Sequence, residues 1–343
     1  MQMEMISREP LLANDATAKL KRIGTSLLYL AALALITIFS SLLIYVIISV
    51  NPINLPMSAT NSFWGISYNP ARVDQWCPEL EDVTADLLMI SRITHRVRTY
   101  GDSCHLDMIL SAIEKNPKQL GHFRVTAGIP LKDTNDANQG AIKEILQVIR
   151  EHGSRHIDMI SVGNEVILKH LLPVDTLIQL IEEVRRQVGR MFFQRIPVTT
   201  VDVFKTFDDN PKLVKAVDCV VANLHPYFVD DITASQAAEV TFKQLNELQD
   251  SSQGKEVIIG ETGWPSAGGG SRTTIDNYNI YMKDFLCKAA QRNVKFFWFE
   301  AFDAKWKTDQ SEIEQNWGIF TADRSNKTGL DLPPFRRCEK QTS

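Results

Sequence analysis

The chain has 343 residues, 44% hydrophobic and 8% aromatic, with a net charge of −4. That length supports one large domain or two small ones, and the lack of a basic excess argues against nucleic acid as a partner. Seven histidines and five cysteines form no Cys-x-x-Cys pair and no His-Glu-x-x-His, so no metal site is expected and no cofactor is implied.

Residues 1–22 are polar and mixed in charge and read as a cytoplasmic tail. Residues 23–50 carry no charge and are mostly Leu, Ile, Ala and Val, a run longer than the roughly 20 residues that span a bilayer. A cleavable leader would have an apolar core of only about 7–15 residues. Lys19, Lys21 and Arg22 precede the run and residues 51–63 are uncharged, so the positive-inside rule predicts a single-pass type II signal anchor in the plasma membrane. Residues 51–62, with Pro52 and Pro56, read as a linker to an external domain. The sequon Asn326-Lys327-Thr328 agrees with export.

From residue 63 short apolar runs alternate with helical periodicity. Residues 63–68 read as a strand and 78–90 as a helix. A second strand, 96–100, precedes a helix with Leu106, Ile109, Leu110 and Ile113 on one face. The third strand is 123–128, and Ile142, Ile145, Leu146 and Ile149 stripe its helix at 3.6-residue spacing. The fourth is 157–162, and its helix opens at Pro173 and buries Leu177, Ile181, Val184 and Val188. Strand five is 198–203, with a short helix from Pro211. Strand six is 219–223, with a helix over 235–248. Strand seven is 257–260, with a helix burying Tyr278, Met282, Phe285 and Leu286. Strand eight is 294–299. Eight β/α repeats predict a closed (β/α)8 TIM barrel over residues 63–330, followed by a C-terminal tail of 331–343. A doubly wound open sheet is the alternative, but no Gly-x-Gly-x-x-Gly follows the first strand.

Reactive groups of such barrels sit at the C-terminal ends of the strands. Those ends hold Tyr68-Asn69, Tyr100, Gly163-Asn164-Glu165, Leu224-His225-Pro226-Tyr227-Phe228, Glu261 with Trp264, and Glu300-Ala301-Phe302-Asp303. Carboxylates and rings therefore converge on one mouth, with His225 the one imidazole in those segments. That lining suits a sugar chain. Glu165 and Glu261 end strands four and seven, nearly opposite each other. Cleavage of a glycosidic bond needs such a pair, one acid and one carboxylate. Taken alone, either Glu could instead cap a helix or pair with a cation.

Val162-Gly163-Asn164-Glu165-Val166, Gly260-Glu261-Thr262-Gly263-Trp264-Pro265-Ser266 and Trp298-Phe299-Glu300-Ala301-Phe302-Asp303 resemble the signature segments of glycoside hydrolase family 17. Arg98-Thr99-Tyr100-Gly101, His225-Pro226-Tyr227-Phe228 and Asn316-Trp317-Gly318-Ile319-Phe320 extend the resemblance, which is closest to fungal members. It implies a retaining enzyme of the cell wall acting on β-1,3-glucan by hydrolysis or transglycosylation, with Glu165 as acid/base and Glu261 as nucleophile. It further implies that Asn164 meets the sugar 2-hydroxyl, that Tyr227 donates to Glu261, and that Glu300 and Lys305 or Lys307 lie near the site. Tyr68, Tyr100, Phe228, Trp264, Phe302 and Trp306 are candidates for sugar stacking. The resemblance also favours a Cys77–Cys104 disulfide, while Cys219 and Cys287 read as buried thiols. Two departures stand out: Asp303-Ala304-Lys305-Trp306-Lys307 after strand eight, and His225 where plant members often differ. A non-catalytic glucan-binding wall anchor, or a barrel acting on xylan, cellulose or mannan, are the competing readings.

Overall fold

A computed structural model describes residues 63–308 and 310–332. The expected cytoplasmic tail, membrane span and linker lie outside the described residues, as does the tail beyond residue 332. Among the described residues no helix is long and apolar enough to cross a membrane.

Eight parallel strands close into a barrel in sequence order. They are β1 (Gly65–Ser67), β2 (Arg96–Arg98), β3 (Arg124–Ile129), β4 (Ile157–Asn164), β5 (Val198–Val203), β6 (Val220–Asn223), β7 (Val257–Thr262) and β8 (Phe296–Trp298). The helices between them are α1 (Leu80–Ile90), α2 (Ser103–Lys115), α3 (Pro117–Leu120), α4 (Asn135–His152), α5 (Val174–Met191), α6 (Phe204–Asp209), α7 (Pro211–Ala216), α8 (Ala234–Ser251) and α9 (Ile275–Arg292). The periodicity of each long helix is what packs it. Ile142, Ile145, Leu146 and Ile149 of α4 are all buried, as are Leu177, Ile181, Val184 and Val188 of α5. Pro173 is the N-cap of α5 rather than its first helical residue.

Two cores result. A small one inside the barrel holds Met159, Val201, Cys219, Val221, Ile258 and Phe297. The large one lies between sheet and helices, where each fully buried aliphatic side chain contributes about 1.5–3 kcal/mol.

Three differences from the expected layout matter. Helix α6 directly follows β5, where only the helix from Pro211 was expected. Strand β7 runs on to Thr262, so Glu261 lies within the strand rather than beyond it. After β8 the described residues contain no α-helix to complete the eighth β/α repeat, only a short 3-10 turn at Glu312–Gln315. In its place the segment around Asn316–Phe320 returns to the barrel and bonds to the end of β8. The Glu300 amide donates to the Trp317 carbonyl, Ile319 N–H to Glu300 O, and Asp303 N–H to Phe320 O. Gly318 allows this approach: a Cβ there would lie 2.2 Å from the Asp303 nitrogen.

The cysteines divide differently from expectation. Cys77 and Cys104 form a disulfide, and Cys219 is a buried free thiol. Cys287 is disulfide-bonded and so is not a thiol.

Candidate active site

The mouth of the barrel is organised around Arg98, which ends β2 and is 1% exposed. A buried guanidinium needs anionic and carbonyl partners. Its Nη1 donates to Glu261 Oε1 at 2.6 Å and to the Gly260 carbonyl at 3.1 Å, and its Nη2 donates to Asn164 Oδ1 at 2.7 Å. One side chain thereby ties β2 to the ends of β4 and β7.

Glu261 is buried and fully bonded. Tyr100 Oη donates to Oε1 at 2.9 Å, and His225 Nε2 donates to Oε2 at 3.1 Å. Burial by itself would raise its pKa. The Arg98 charge and the His225 hydrogen bond override that and hold the carboxyl at about 2, so it is ionised at any working pH. Burial and the Glu261 charge push the Tyr100 phenol well above its usual value, which keeps its proton in place for that hydrogen bond.

Glu165 follows β4 in a turn that its sequence makes possible. The β4–β5 register shifts between Ser161 and Asn164, and bulges of this kind re-aim side chains next to active sites. Gly163 has φ 82° and Glu165 itself has φ 57°, a left-handed conformation uncommon outside glycine. The Glu165 amide donates to the Val201 carbonyl at 2.8 Å. Asn223 Nδ2, at the end of β6, donates to Glu165 Oε1 at 2.9 Å, and Lys169 Nζ lies 2.9 Å from Oε2. Asn223 also reaches Asn164 Oδ1, at 3.3 Å. Because Arg98 and Asn223 both use Oδ1, the Asn164 Nδ2 is the group available to a sugar hydroxyl.

At the end of β8 Glu300 is buried and pairs with Lys307 at 3.2 Å. Burial raises its carboxyl to about 7 against the opposing charge of Lys307. Lys305 is not the partner; its Nζ donates to Asn316 Oδ1 at 3.0 Å.

The remaining candidates separate by burial. Phe228 is 61% exposed, and Tyr100 and Trp306 are half-buried. Tyr68, Trp264 and Phe302 present no face to solvent, contrary to a stacking role. Tyr68 donates to Asp86 Oδ2 at 2.8 Å, and Trp264 Nε1 donates to the Arg272 carbonyl at 2.9 Å. Phe302 sits between the rings of Tyr68 and Phe320, with the Arg324 guanidinium 4.5 Å from its centre. The returning segment 316–320 accounts for part of this burial, and nothing at the strand ends announced it. Tyr227 makes none of the hydrogen bonds to Glu261 and instead packs edge-on against Trp264 and Trp317. Its expected role passes to Tyr100 and His225.

Arg98, Asn223 and His225 have roles here that the sequence does not assign to them. Their signal was position: Arg98 closes β2, Asn223 closes β6 and His225 follows it, all at the end of the barrel where the carboxylates lie. Trp76 was missed entirely, because it lies in a loop away from any strand end.

Residues 65–318 match the family model of the BtgE/BtgC glycoside hydrolase domain. A probable glucan endo-1,3-beta-glucosidase of Aspergillus flavus is 30% identical over 299 residues, covering 79% of this chain and 42% of that protein. The chain thus spans about two fifths of the length of the curated relatives it matches. Among solved structures, a glycoside hydrolase family 17 β-1,3-glucanosyltransferase from Rhizomucor miehei is 28% identical with a TM-score of 0.71, covering 79% of this chain and 97% of that one. An endo-laminarinase from Formosa shares the fold at 20% identity and a TM-score of 0.66. The closed parallel barrel, the carboxylate pair at its mouth and a family match across nearly all the described residues together show that this chain belongs to the BtgE/BtgC glycoside hydrolase family.

Proposed function

We propose that the barrel is a retaining β-1,3-glucan glycosidase that cleaves its substrate through a covalent glycosyl-enzyme on Glu261. The observation that carries this reading is a buried Glu261 kept ionised by Arg98 and His225. A carboxylate in that state is ready to attack an anomeric carbon without losing a proton first. Glu165 gives its proton to the leaving glycosidic oxygen and then takes one from the incoming hydroxyl. Asn164, fixed through Oδ1 by Arg98 and Asn223, offers Nδ2 to the 2-hydroxyl, a contact that strengthens as charge develops in the ring. The relatives named as glucan endo-1,3-beta-glucosidase and β-1,3-glucanosyltransferase support the substrate class.

Water or a second glucan hydroxyl can release the intermediate. The transferase similarity, at 28% identity, favours transfer as a second outcome of the same chemistry. Mass analysis of products from laminaritriose separates the two: products longer than the substrate mean transfer, and shorter ones alone mean hydrolysis.

The uncharged run 23–50, the basic residues before it and the Asn326 sequon support a type II plasma-membrane protein with its barrel facing the cell wall. Recovery of the full chain in the soluble fraction, without detergent, overturns that location.

The mechanism has its own test. Glu261→Gln abolishes turnover and preserves folding and glucan binding. Substantial residual activity removes Glu261 as nucleophile, and first-formed products of inverted anomeric configuration remove retention.

A further inference from the structure

Trp76, in the β1–α1 loop, is 51% exposed yet held on several sides. Its Nε1 donates to Asp102 Oδ2 at 2.5 Å, and His105 Nε2 donates to its carbonyl at 2.5 Å. The His105 ring packs behind the indole at 5.1 Å with an interplanar angle of 40°. The next residue, Cys77, is locked to Cys104, and Asp102 is itself the N-cap of α2. An exposed apolar side chain normally gains nothing from being fixed in place. A fixed indole that keeps half its surface exposed is what recognition of a flat, partly apolar ligand requires.

The loop after β8 supplies the second wall. Trp306 stands at 87° to Trp76 with ring centroids 5.4 Å apart, forming an aromatic corner. The Lys307 ammonium lies 5.6 Å from the Trp306 ring centre and 5.0 Å from that of Phe299, and it pairs with Glu300. The corner is therefore continuous with the catalytic mouth.

We propose that Trp76 and Trp306 form a sugar-stacking subsite for a glucosyl unit of the β-1,3-glucan, on the glycone side of the cleaved bond. The proposal rests on the glucan reading above. The ring C–H faces of a glucosyl unit match an indole face, and a corner of two indoles grips one unit from two directions. The side follows from the barrel. The acid follows β4 and so touches the leaving group, whereas β8 and β1 lie across the barrel from β4. A chain running from Glu165 past Glu261 reaches the corner with its glycone portion. The subsite thus holds the sugar that stays on the enzyme after the leaving group departs.

The test measures kcat/KM on β-1,3-gluco-oligosaccharides of increasing length from laminaritriose upward, for the wild type, Trp76→Ala, Trp306→Ala and the conservative Trp76→Phe. The gain in kcat/KM with chain length shrinks about tenfold in each Ala variant, equivalent to about 1.4 kcal/mol of lost binding, and is largely restored in Trp76→Phe. In the Glu261→Gln background, oligosaccharide binding perturbs tryptophan fluorescence, and Trp76→Phe loses most of that signal. A length dependence identical to that of the wild type in both Ala variants overturns the subsite. A wild-type protein without action on any β-1,3-glucan overturns the glucan reading instead, so the two failures are distinct.

Discussion

A guanidinium buried to 1% exposure would be costly if its partners were absent, so the Arg98 contacts to Glu261, Gly260 and Asn164 define the resting geometry of the site. Three donors, Arg98 and Tyr100 from the end of β2 and His225 from the end of β6, converge on one carboxylate. Hydrogen bonds to charged groups contribute about 1.5–3 kcal/mol each, so Tyr100→Phe lowers kcat about tenfold to a hundredfold by leaving Oε1 short of one donor. Steady-state kinetics check this, with circular dichroism confirming an unchanged fold. The Nδ1 of His225 is buried without a partner while its Nε2 serves Glu261, and the rings of Phe299 and Trp317 enclose it. His225→Ala raises the pKa of Glu261 toward the ordinary carboxylate range and moves the acid limb of the pH–rate profile upward.

At the scale of elements, the segment after β8 replaces an outer helix with a strap, and buried charges fasten it. Asp86 on α1 accepts from Tyr68, from Arg72 at 3.0 Å and from Arg324 at 3.1 Å. Asp303 accepts from Lys327 at 2.8 Å and from the Gly318 amide at 3.0 Å. Removing one member of a buried pair costs about 3–5 kcal/mol because its partners are left uncompensated. Asp86→Ala therefore destabilises the barrel by about 3 kcal/mol, toward the low end because Arg72 and Arg324 keep some access to water; urea unfolding of the full chain measures it. The helix stripes were legible in the sequence because period 3.6 is local information. The strap was not, since its partners lie on α1 and the β8 end, and sequence spacing carries no signal for such long-range pairing.

For the whole molecule, two buried carboxylates make stability depend on pH in opposite senses. The folded state depresses Glu261 to about 2, so its contribution is present above the unfolded carboxylate value of about 4.3 and is lost as pH falls toward 2. Glu300 is raised to about 7, so its contribution is complete below about 4.3 and is lost as pH rises through 7. Maximum stability is expected between those values, and chemical denaturation at a series of pH values locates it. Glu300→Gln removes the alkaline decline while leaving the acid one. The sequence by itself determined the eightfold alternation, the closed barrel and the placing of Glu165 and Glu261 at one end of it, because strand and helix periods are local and the strand ends follow from chain direction. Tertiary structure alone decided which groups serve those carboxylates. Tyr100 rather than Tyr227 reaches Glu261, Lys307 rather than Lys305 reaches Glu300, and Trp264 turns inward while Trp76 stays open. Each of those choices depends on where side chains from distant strands and loops end up in space, and residue type at a strand end does not encode that.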